Sequence, residues 1–349
     1  MTALTVPARP AENASLRPVP WRRMAWVTWR QHRLALTGVA VFLGGLAVIL
    51  WRVGLGLHHA YAAATACRPA SSVACNDLAI RFARMDDFLA NGSVLQAVPA
   101  VIGAFAGAPV LARELETGTF RYAWTQGFGR WRWTLGKLLP LAVIVAAAAG
   151  ALSVLFSWYY QPYFATGNHA LLPLPEASPL AATLFDLRGV AFAAWTLVAF
   201  AIGALAGMLI RRVVAAIAAT LVLYAGLAVA AGLYLRQHYL TPLVANTQNV
   251  PGSGAITSQW GTRGGRFAFA GEPPINLIQR LCPPPPLGAR IDKVVTISQC
   301  LSQHGYTWRT SYQPVSRFWP FQWIEGSWLL ALSGLLIAAT VWLVRRRAA

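Results

Sequence analysis

The chain has 349 residues, of which 56% are hydrophobic and only 11% are charged, and its formal net charge is +18 at pH 7. Soluble domains are about 45–50% apolar and about 25% charged, so this composition excludes an ordinary soluble protein. The positive charge is not gathered in a basic soluble module, which excludes nucleic-acid binding and indicates anionic membrane lipid as the counter-charge.

Six stretches free of Asp, Glu, Lys and Arg account for the apolar excess. They are Leu34–Trp51, Val94–Ala112, Leu138–Tyr160, Gly189–Ile210, Val213–Leu235 and Gly326–Val344. As helices rising 1.5 Å per residue, all six are long enough to cross a hydrocarbon core of about 30 Å. The sequence therefore predicts an all-α polytopic membrane protein with six transmembrane helices.

The N-terminal region precedes the first apolar run. Residues 1–20 are rich in Pro, Ala and Arg, which predicts a disordered tail. The next residues predict an amphipathic helix lying at the lipid headgroups, with a cytoplasmic extension of the first span as the alternative. The side chains that indicate this interfacial helix are Trp21, Trp26, Trp29, Arg30 and Arg33. Ala60-Tyr61-Ala62 resembles a signal-peptidase site, but the apolar run before it is too long for a signal peptide, so we expect no cleavage.

A short charged hairpin, residues 113–137, joins the second and third apolar runs. Glu114 and Glu116 directly follow the second run, Gly118 breaks the helix, and Thr119 can cap the next turn. Such a hairpin can receive force or a signal from outside the membrane. The alternative is a basic anchor with two helix-end carboxylates.

Basic residues are unevenly distributed between the two sides of the predicted spans. The N-terminal tail, the hairpin, the Arg211–Arg212 connection and the Arg345–Arg347 end are rich in Arg, whereas the loop over residues 161–187 has no Lys or Arg. Short cytoplasmic loops carry the excess of Lys and Arg. We therefore expect a multi-pass plasma-membrane protein whose two termini and hairpin are cytoplasmic.

All four cysteines fall in the two loops expected outside the cell. Cys67 and Cys75 lie after the first run, and Cys282 and Cys300 lie in the lobe predicted over residues 236–325. This distribution fits an oxidising compartment and predicts the pairs Cys67–Cys75 and Cys282–Cys300, one of three possible connectivities. The alternative is unpaired thiols. No C-x-x-C motif supports metal binding.

The lobe separates spans one to five, with their connections over residues 21–235, from the last span and basic end over residues 326–349. An alternating stretch, Lys293–Ser298, is compatible with a short strand. Glu272, Asp292 and His304 are candidate acids or bases if the lobe is an enzyme. A sensor or immunity subunit that binds a compound through the lobe is a further alternative.

The second and fourth runs share the motif Gly-Ala-x-Ala-Gly, at Gly103–Gly107 and Gly203–Gly207. Small residues at this spacing let helices approach closely. We expect packing within the chain, with a subunit contact as the alternative.

Motifs for catalysis are missing from the sequence. Gly136-Lys137 lacks the other residues of a nucleotide-binding loop, and the sequence contains no H-E-x-x-H or G-x-S-x-G motif. No charged residue lies inside the six runs, so a proton relay of the usual kind has no candidate residues. These observations disfavour an intramembrane enzyme and a proton-driven transporter, and they predict that the chain itself binds no cofactor and no metal.

The hairpin carries a family resemblance. Glu-x-Glu-x-Gly-Thr, then Trp-Thr-Gln-Gly-x-x-Arg-x-Arg-Trp and Gly-Lys-Leu, resembles the permease subunits of type-2 ATP-binding-cassette (ABC) exporters. The start Trp-Val-Thr-Trp-Arg-Gln-His-Arg is similar to an actinobacterial-like branch. The resemblance extends from about Trp21 to the end of the chain. The chain departs from the common family pattern in its large loop before the last span.

The resemblance implies a mechanism and partners. Two permeases, identical or paralogous, pair in the membrane and bind separate cytoplasmic ATPases that hold ATP and Mg²⁺. The residues implied in coupling are Glu114, Glu116, Gly118, Thr119 and Arg121. An apolar path suits a hydrophobic or amphipathic substrate moved outward.

Overall fold

A computed structural model of the chain describes residues 21–69, 72–84, 95–118, 130–165, 178–247, 250, 254–282 and 297–346. Six of the described helices are long and apolar enough to cross a membrane, and each of them overlaps one of the six predicted runs. We number them spans 1 to 6: Leu36–Ala66, Leu95–Thr117, Trp131–Ala165, Gly189–Ile210, Val213–His238 and Val315–Arg346. The predicted polytopic helical architecture is therefore confirmed.

Two of the spans change their winding along their length. Span 2 begins with the 3₁₀ turn Leu95–Ala97, continues as the α-helix Val98–Ile102, and passes through a π-helical turn at Gly103–Gly107 into the α-helix Ala108–Thr117. Span 5 is α-helical over Val213–Ala230 and ends in a π-helical turn and a 3₁₀ turn. The remaining spans belong to the α-helices Trp21–Ala66, Arg130–Ala165, Gly189–Ile210 and Phe318–Arg346.

The first helix is unbroken from Trp21 to Ala66. Over these residues the stretch predicted to be interfacial is therefore continuous with span 1, as in the alternative of an extension of that span. The reason is that residues 21–37 contain no Gly or Pro that could break the helix. Arg30 places its guanidinium 5.3 Å from the ring centroid of Trp26. Trp26, Arg30 and Arg33 are exposed, whereas the side chains of Trp21 and Trp29 lie outside the described part.

The first helix contacts span 3 through a stack of aromatic rings. The Trp158 ring lies between Trp51 and His58, with centroid distances of 4.9 Å and 4.6 Å. The same ring fills the space over Gly54, where a Cβ atom would come within 2.4 Å of it. Trp158 is therefore fixed against one turn of the first helix.

Span 4 is the centre of the membrane region because it packs against spans 2, 3, 5 and 6. In the most apolar segment of spans 2 and 4, 72% is buried inside the protein, whereas in the corresponding segment of spans 1 and 5 only 17% is buried. Spans 1 and 5 therefore present most of their apolar surface to the surroundings.

The two Gly-Ala-x-Ala-Gly motifs pack against each other, as predicted for contacts within the chain. A Cβ atom added to Gly203 would lie 2.4 Å from the carbonyl oxygen of Gly103, and one added to Gly207 would lie 2.4 Å from the carbonyl oxygen of Ala108. Because a side chain would collide with backbone atoms there, the glycines allow the close contact of spans 2 and 4.

The region between spans 5 and 6 contains a four-stranded antiparallel sheet in the order β1-β4-β2-β3. The strands are Leu243–Ala245, Ala255–Arg263, Arg266–Ala270 and Tyr306–Gln313. This sheet corrects the all-α prediction. Its two longest strands contain Thr and Trp, and the last also contains Tyr, all residues that favour strands; Gly264-Gly265, with positive φ values, forms the β2–β3 turn.

Within the described residues, shorter helices lie outside the spans at Val73–Arg84, Ile275–Leu281 and Ile297–Gln303. The last of these corrects the predicted strand over Lys293–Ser298, because Ile297 and Ser298 begin a helix; residues 283–296 lie outside the described part. A single helical turn, Ala182–Phe185, precedes span 4.

Both predicted disulfides are present. Cys67–Cys75 joins the end of the first helix to the helix Val73–Arg84, and Cys282–Cys300 joins the two short helices beside the sheet. Their Cα–Cα distances are 5.6 Å and 5.9 Å. We call the sheet with its two short helices the lobe, the face of the membrane region that carries it the lobe side, and the opposite face the hairpin side.

The Cys282–Cys300 bond should stabilise the lobe. Its cysteines are 18 positions apart, and closing a loop of that size contributes about 3 kcal/mol in the chain-entropy picture. Replacing both cysteines with Ser should therefore make the lobe susceptible to limited proteolysis under conditions where the native protein resists it. The matched control removes Cys67 and Cys75, which should leave cleavage of the lobe unchanged. Peptide mapping without reductant that finds free thiols at 282 and 300 would contradict this expectation.

Candidate functional site

The hairpin between spans 2 and 3 is described at its two ends. The α-helix of span 2 ends at Gly118, whose φ of +70° is the left-handed conformation that glycine adopts most easily. The next helix that the structure describes begins at Arg130. Gly118 thus breaks the helix as predicted, whereas Thr119 and Arg121 lie outside the described residues.

Glu114 is tied to the start of span 3. Its Oε1 accepts a hydrogen bond and forms an ion pair with Nζ of Lys137. The Lys137 side chain is 4% exposed and that of Glu114 is 13% exposed. Nζ also lies 4.2 Å from the centroid of the Trp133 ring, a cation–π contact. Glu114 therefore connects spans 2 and 3.

Glu116 is tied to span 5 instead. Its Oε2 accepts a hydrogen bond from the backbone N–H of Val213, 3.1 Å away, at the first residue of that helix. A carboxylate at this place satisfies a free donor and interacts favourably with the helix dipole. Glu116 remains exposed, so it can also face a partner. The two carboxylates singled out in the sequence thus link the end of span 2 to spans 3 and 5.

On the lobe side, three charged residues from separate parts of the chain form one cluster. Arg236 donates from Nε to Oε2 of Glu325 over 3.1 Å and from Nη2 to Oε1 over 2.8 Å. Its Nη2 also donates to Oδ1 of Asp186. The Glu325 side chain is fully buried, that of Arg236 is 10% exposed, and that of Asp186 is 23% exposed.

Aromatic side chains complete the surroundings of Glu325. Trp195 donates from Nε1 to Oε1 over 2.8 Å, and the Tyr239 hydroxyl donates to Oε2 over 3.2 Å. Trp328 in turn donates to the Tyr239 hydroxyl over 2.9 Å. Because Glu325 accepts four hydrogen bonds, its buried charge is well compensated. The cluster joins spans 4, 5 and 6.

The electrostatics of Asp186 follow from its burial. Burial raises the pKa of this carboxyl to about 8; Arg236 opposes the rise and the neighbouring Glu325 carboxylate adds to it. Asp186 lies between spans 3 and 4. A carboxyl with this pKa exchanges its proton near neutral pH, unlike an exposed aspartate.

Sequence reasoning missed this cluster because its members lie at the edges of apolar runs. Arg236 follows the fifth run and Glu325 precedes the sixth, 89 positions apart along the chain. Both stand at the ends of the lobe predicted over residues 236–325. The sequence does contain one indication of a buried ion pair. Glu325 is a lone carboxylate within an aromatic stretch, where an unpaired charge would be costly, so it predicts a basic partner.

A groove opens between spans 1, 2 and 5. Its volume is about 710 Å³, and Phe42 and Phe105 are among its exposed side chains. Arg113, on the hairpin side, is the charged residue among those that line it. The remaining lining residues are Gly38, Val39, Val101, Ile102, Pro109, Val213 and Ile217.

Of the candidate acids and bases of the lobe, the structure describes two, and it shows no hydrogen bond between them. Glu272 and His304 are exposed, and Asp292 lies outside the described residues. His304 lies beside Cys282 and Cys300 at distances that could suit a metal. The two sulfur atoms are bonded to each other, however, so they are not free thiolate ligands.

Comparison with known protein families gives one match. A family model described as "ABC-2 membrane transporter related" matches residues 27–236, more than half of the chain. The matched part contains spans 1 to 5 and the hairpin, and it ends at the arginine of the buried cluster. Neither the curated proteins nor the solved structures that were compared with the chain gave a match.

Proposed function

Because the chain belongs to the ABC-2 membrane transporter related family, it is a multi-pass membrane permease of the ABC transporter type, and we propose that it exports a hydrophobic or amphipathic substrate. A separate ATPase binds ATP and Mg²⁺ and drives the transport. Two copies of the chain, or the chain and a paralogue, form the membrane unit. The permease itself catalyses no reaction. The actinobacterial-like branch stays a prediction.

The connection of the hairpin to three spans is the observation that carries this proposal. Glu114 joins spans 2 and 3 through Lys137, and Glu116 joins span 2 to the first residue of span 5. A partner that displaces the hairpin must therefore move the ends of three membrane helices together. This geometry suits a subunit that receives motion from an ATPase better than it suits a simple anchor.

We propose that the hairpin side is cytoplasmic. The hairpin, the Arg211–Arg212 connection and the basic end of span 6 all lie on that side, in agreement with the distribution of Lys and Arg in short loops. The lobe and both disulfides then face an oxidising compartment, where disulfides persist.

The groove between spans 1, 2 and 5 supports the proposed substrate class. Its walls are apolar and aromatic, and it is bounded by spans 1 and 5, which bury little of their apolar surface within the chain. Ligand sites with such walls bury the apolar part of a ligand and use few polar groups. A hydrophobic or amphipathic molecule fits this groove better than a sugar or an inorganic ion.

The test is ATP hydrolysis by the permease and its co-purified ATPase in lipid. Glu116→Gln, and separately Gly118→Val, should reduce substrate-stimulated hydrolysis about tenfold or more. A charge-assisted hydrogen bond contributes about 1.5–3 kcal/mol, and valine strains a left-handed position. Both variants should insert into the membrane normally.

Asp77→Asn is the matched control. Asp77 is an exposed carboxylate on the helix Val73–Arg84, paired with Arg81 four residues later, and its loss should leave hydrolysis unchanged. Normal coupling in both hairpin variants would show that the hairpin is only an anchor. If no ATPase co-purifies, the proposed partnership is wrong.

A further inference from the structure

A second cavity, of about 300 Å³, lies between the lobe-side parts of spans 2, 4 and 5. Asp186 and Arg236 of the buried cluster form part of its wall. Three aromatic side chains, Phe192, Trp195 and Tyr224, line it as well. The cavity therefore combines an apolar, aromatic enclosure with one charged patch.

The charges of the cluster do not balance. Glu325 holds Arg236 through two hydrogen bonds and lies outside the cavity wall. Asp186 shares the same guanidinium, and it is the carboxylate that lines the cavity. Above the pKa of Asp186, about 8, both carboxyls are ionised and two negative charges face one positive charge. Arg188, two residues after Asp186, hydrogen-bonds Ser157 and does not line the cavity.

This arrangement favours a cation over an anion. An arginine already engaged by two carboxylates has little attraction left for an anionic ligand. A surplus carboxylate beside aromatic rings is the combination that recognises organic ammonium groups, because the ring faces and the carboxylate both attract positive charge. We propose that the cavity binds the ammonium group of an amphipathic cation, with Asp186 as its counter-charge.

The cavity lies where a transported molecule could pass from the membrane region toward the lobe. A neighbouring cavity of about 440 Å³, beside the sheet of the lobe, shares Ala182, Gly232 and Arg236 with the first one. A molecule that passes from the membrane region toward the lobe would therefore pass Arg236. This role rests on the proposed export function, whereas binding to the isolated permease does not depend on the ATPase.

Calorimetry at pH 9, where Asp186 is ionised, tests the site on the purified permease in an uncharged detergent, with phenyltrimethylammonium as the probe and benzenesulfonate as its anionic counterpart of similar size. We expect the cation to bind and the anion to bind at least tenfold more weakly. Asp186→Asn should weaken cation binding at least tenfold, and Asp186→Glu should retain most of it. Asp77→Asn, which removes an exposed carboxylate elsewhere, should bind as the native protein does.

The pH dependence provides a second readout. Only ionised Asp186 serves as a counter-charge, and its pKa of about 8 means that it is mostly protonated at pH 6.5. Cation affinity should therefore rise between pH 6.5 and pH 9, and this rise should be lost in Asp186→Asn.

A cavity-filling variant keeps the proposal testable if Asp186→Asn does not fold. Gly232 lines the cavity, and a Cβ atom added there would meet nothing within 4 Å. Gly232→Leu should block cation binding, whereas Gly226→Leu, also in open space on span 5 and away from the cavity wall, should not.

Competition by dihexanoyl phosphatidylcholine identifies the source of the ammonium group. Displacement of the probe assigns the site to lipid headgroups, and its absence assigns the site to free organic cations; both results support ammonium recognition. Equal binding of cation and anion would overturn the proposal, as would unchanged cation binding in folded Asp186→Asn or Gly232→Leu. Neither result would affect the hydrolysis test of the proposed function.

Discussion

Replacing Arg236 with Met should destabilise the permease by about 3–5 kcal/mol, because removal of one partner from a buried ion pair leaves an uncompensated charge. Here the fully buried Glu325 would lose two of its four hydrogen bonds and would lie near Asp186 without a cation between them. The measurement is the unfolding midpoint of the purified protein in detergent, followed by fluorescence. Arg309→Met, an exposed arginine on β4, is the matched control and should change the midpoint little.

The double variant Arg236→Met with Glu325→Met separates charge from packing. Replacing both members of a buried ion pair with apolar residues of similar volume is often neutral or stabilising. We therefore expect the double variant to recover much of the lost stability. A single variant as stable as the native protein would show that the cluster is not the main link between spans 4, 5 and 6.

Gly203→Ala is expected to have the second large effect, a loss of about 3 kcal/mol. The added methyl carbon would lie 2.4 Å from a carbonyl oxygen and 2.7 Å from a backbone nitrogen of span 2. Backbone atoms in a packed helix cannot move aside as a side chain can, so spans 2 and 4 must separate. Unfolding in detergent measures the change.

Gly226→Ala is the same substitution on span 5, where an added Cβ would meet nothing within 4 Å. It should leave stability unchanged or slightly raised, since alanine favours the helix. If Gly203→Ala and Gly226→Ala unfold alike, the contact between the two glycine motifs does not hold spans 2 and 4 together.

The parts of the fold predictable from the sequence depend on local properties. The six spans could be predicted because uninterrupted apolar length is sufficient to place a helix in a membrane. Cys282 and Cys300 could be paired because they are close along the chain and share one loop. The glycine motifs could be matched because their spacing is helical and their residues are small.

The parts that could not be predicted depend on which distant segments meet. The β2–β4 pairing joins residues about 50 positions apart, as Gln259 opposite Thr310 shows, and periodicity does not reveal such a partner. Glu116 could be recognised as a hairpin carboxylate, but its bond to Val213, 97 positions later, could not. Asp186, Arg236 and Glu325 each look like an ordinary polar boundary until the fold brings them together.

The first helix is longer than the bilayer is thick, so part of it must lie outside the lipid. Its 46 residues measure about 69 Å at 1.5 Å per residue, while a whole bilayer with headgroups measures about 40–45 Å. Roughly 25 Å of the helix must therefore stand clear of the lipid if it crosses the membrane upright. Span 1 takes up Leu36–Ala66 of this helix, so the length beyond the bilayer belongs to the preceding turns, which carry Arg30 and Arg33. In the proposed topology this basic extension projects from the hairpin side, where it enlarges the surface open to a cytoplasmic partner.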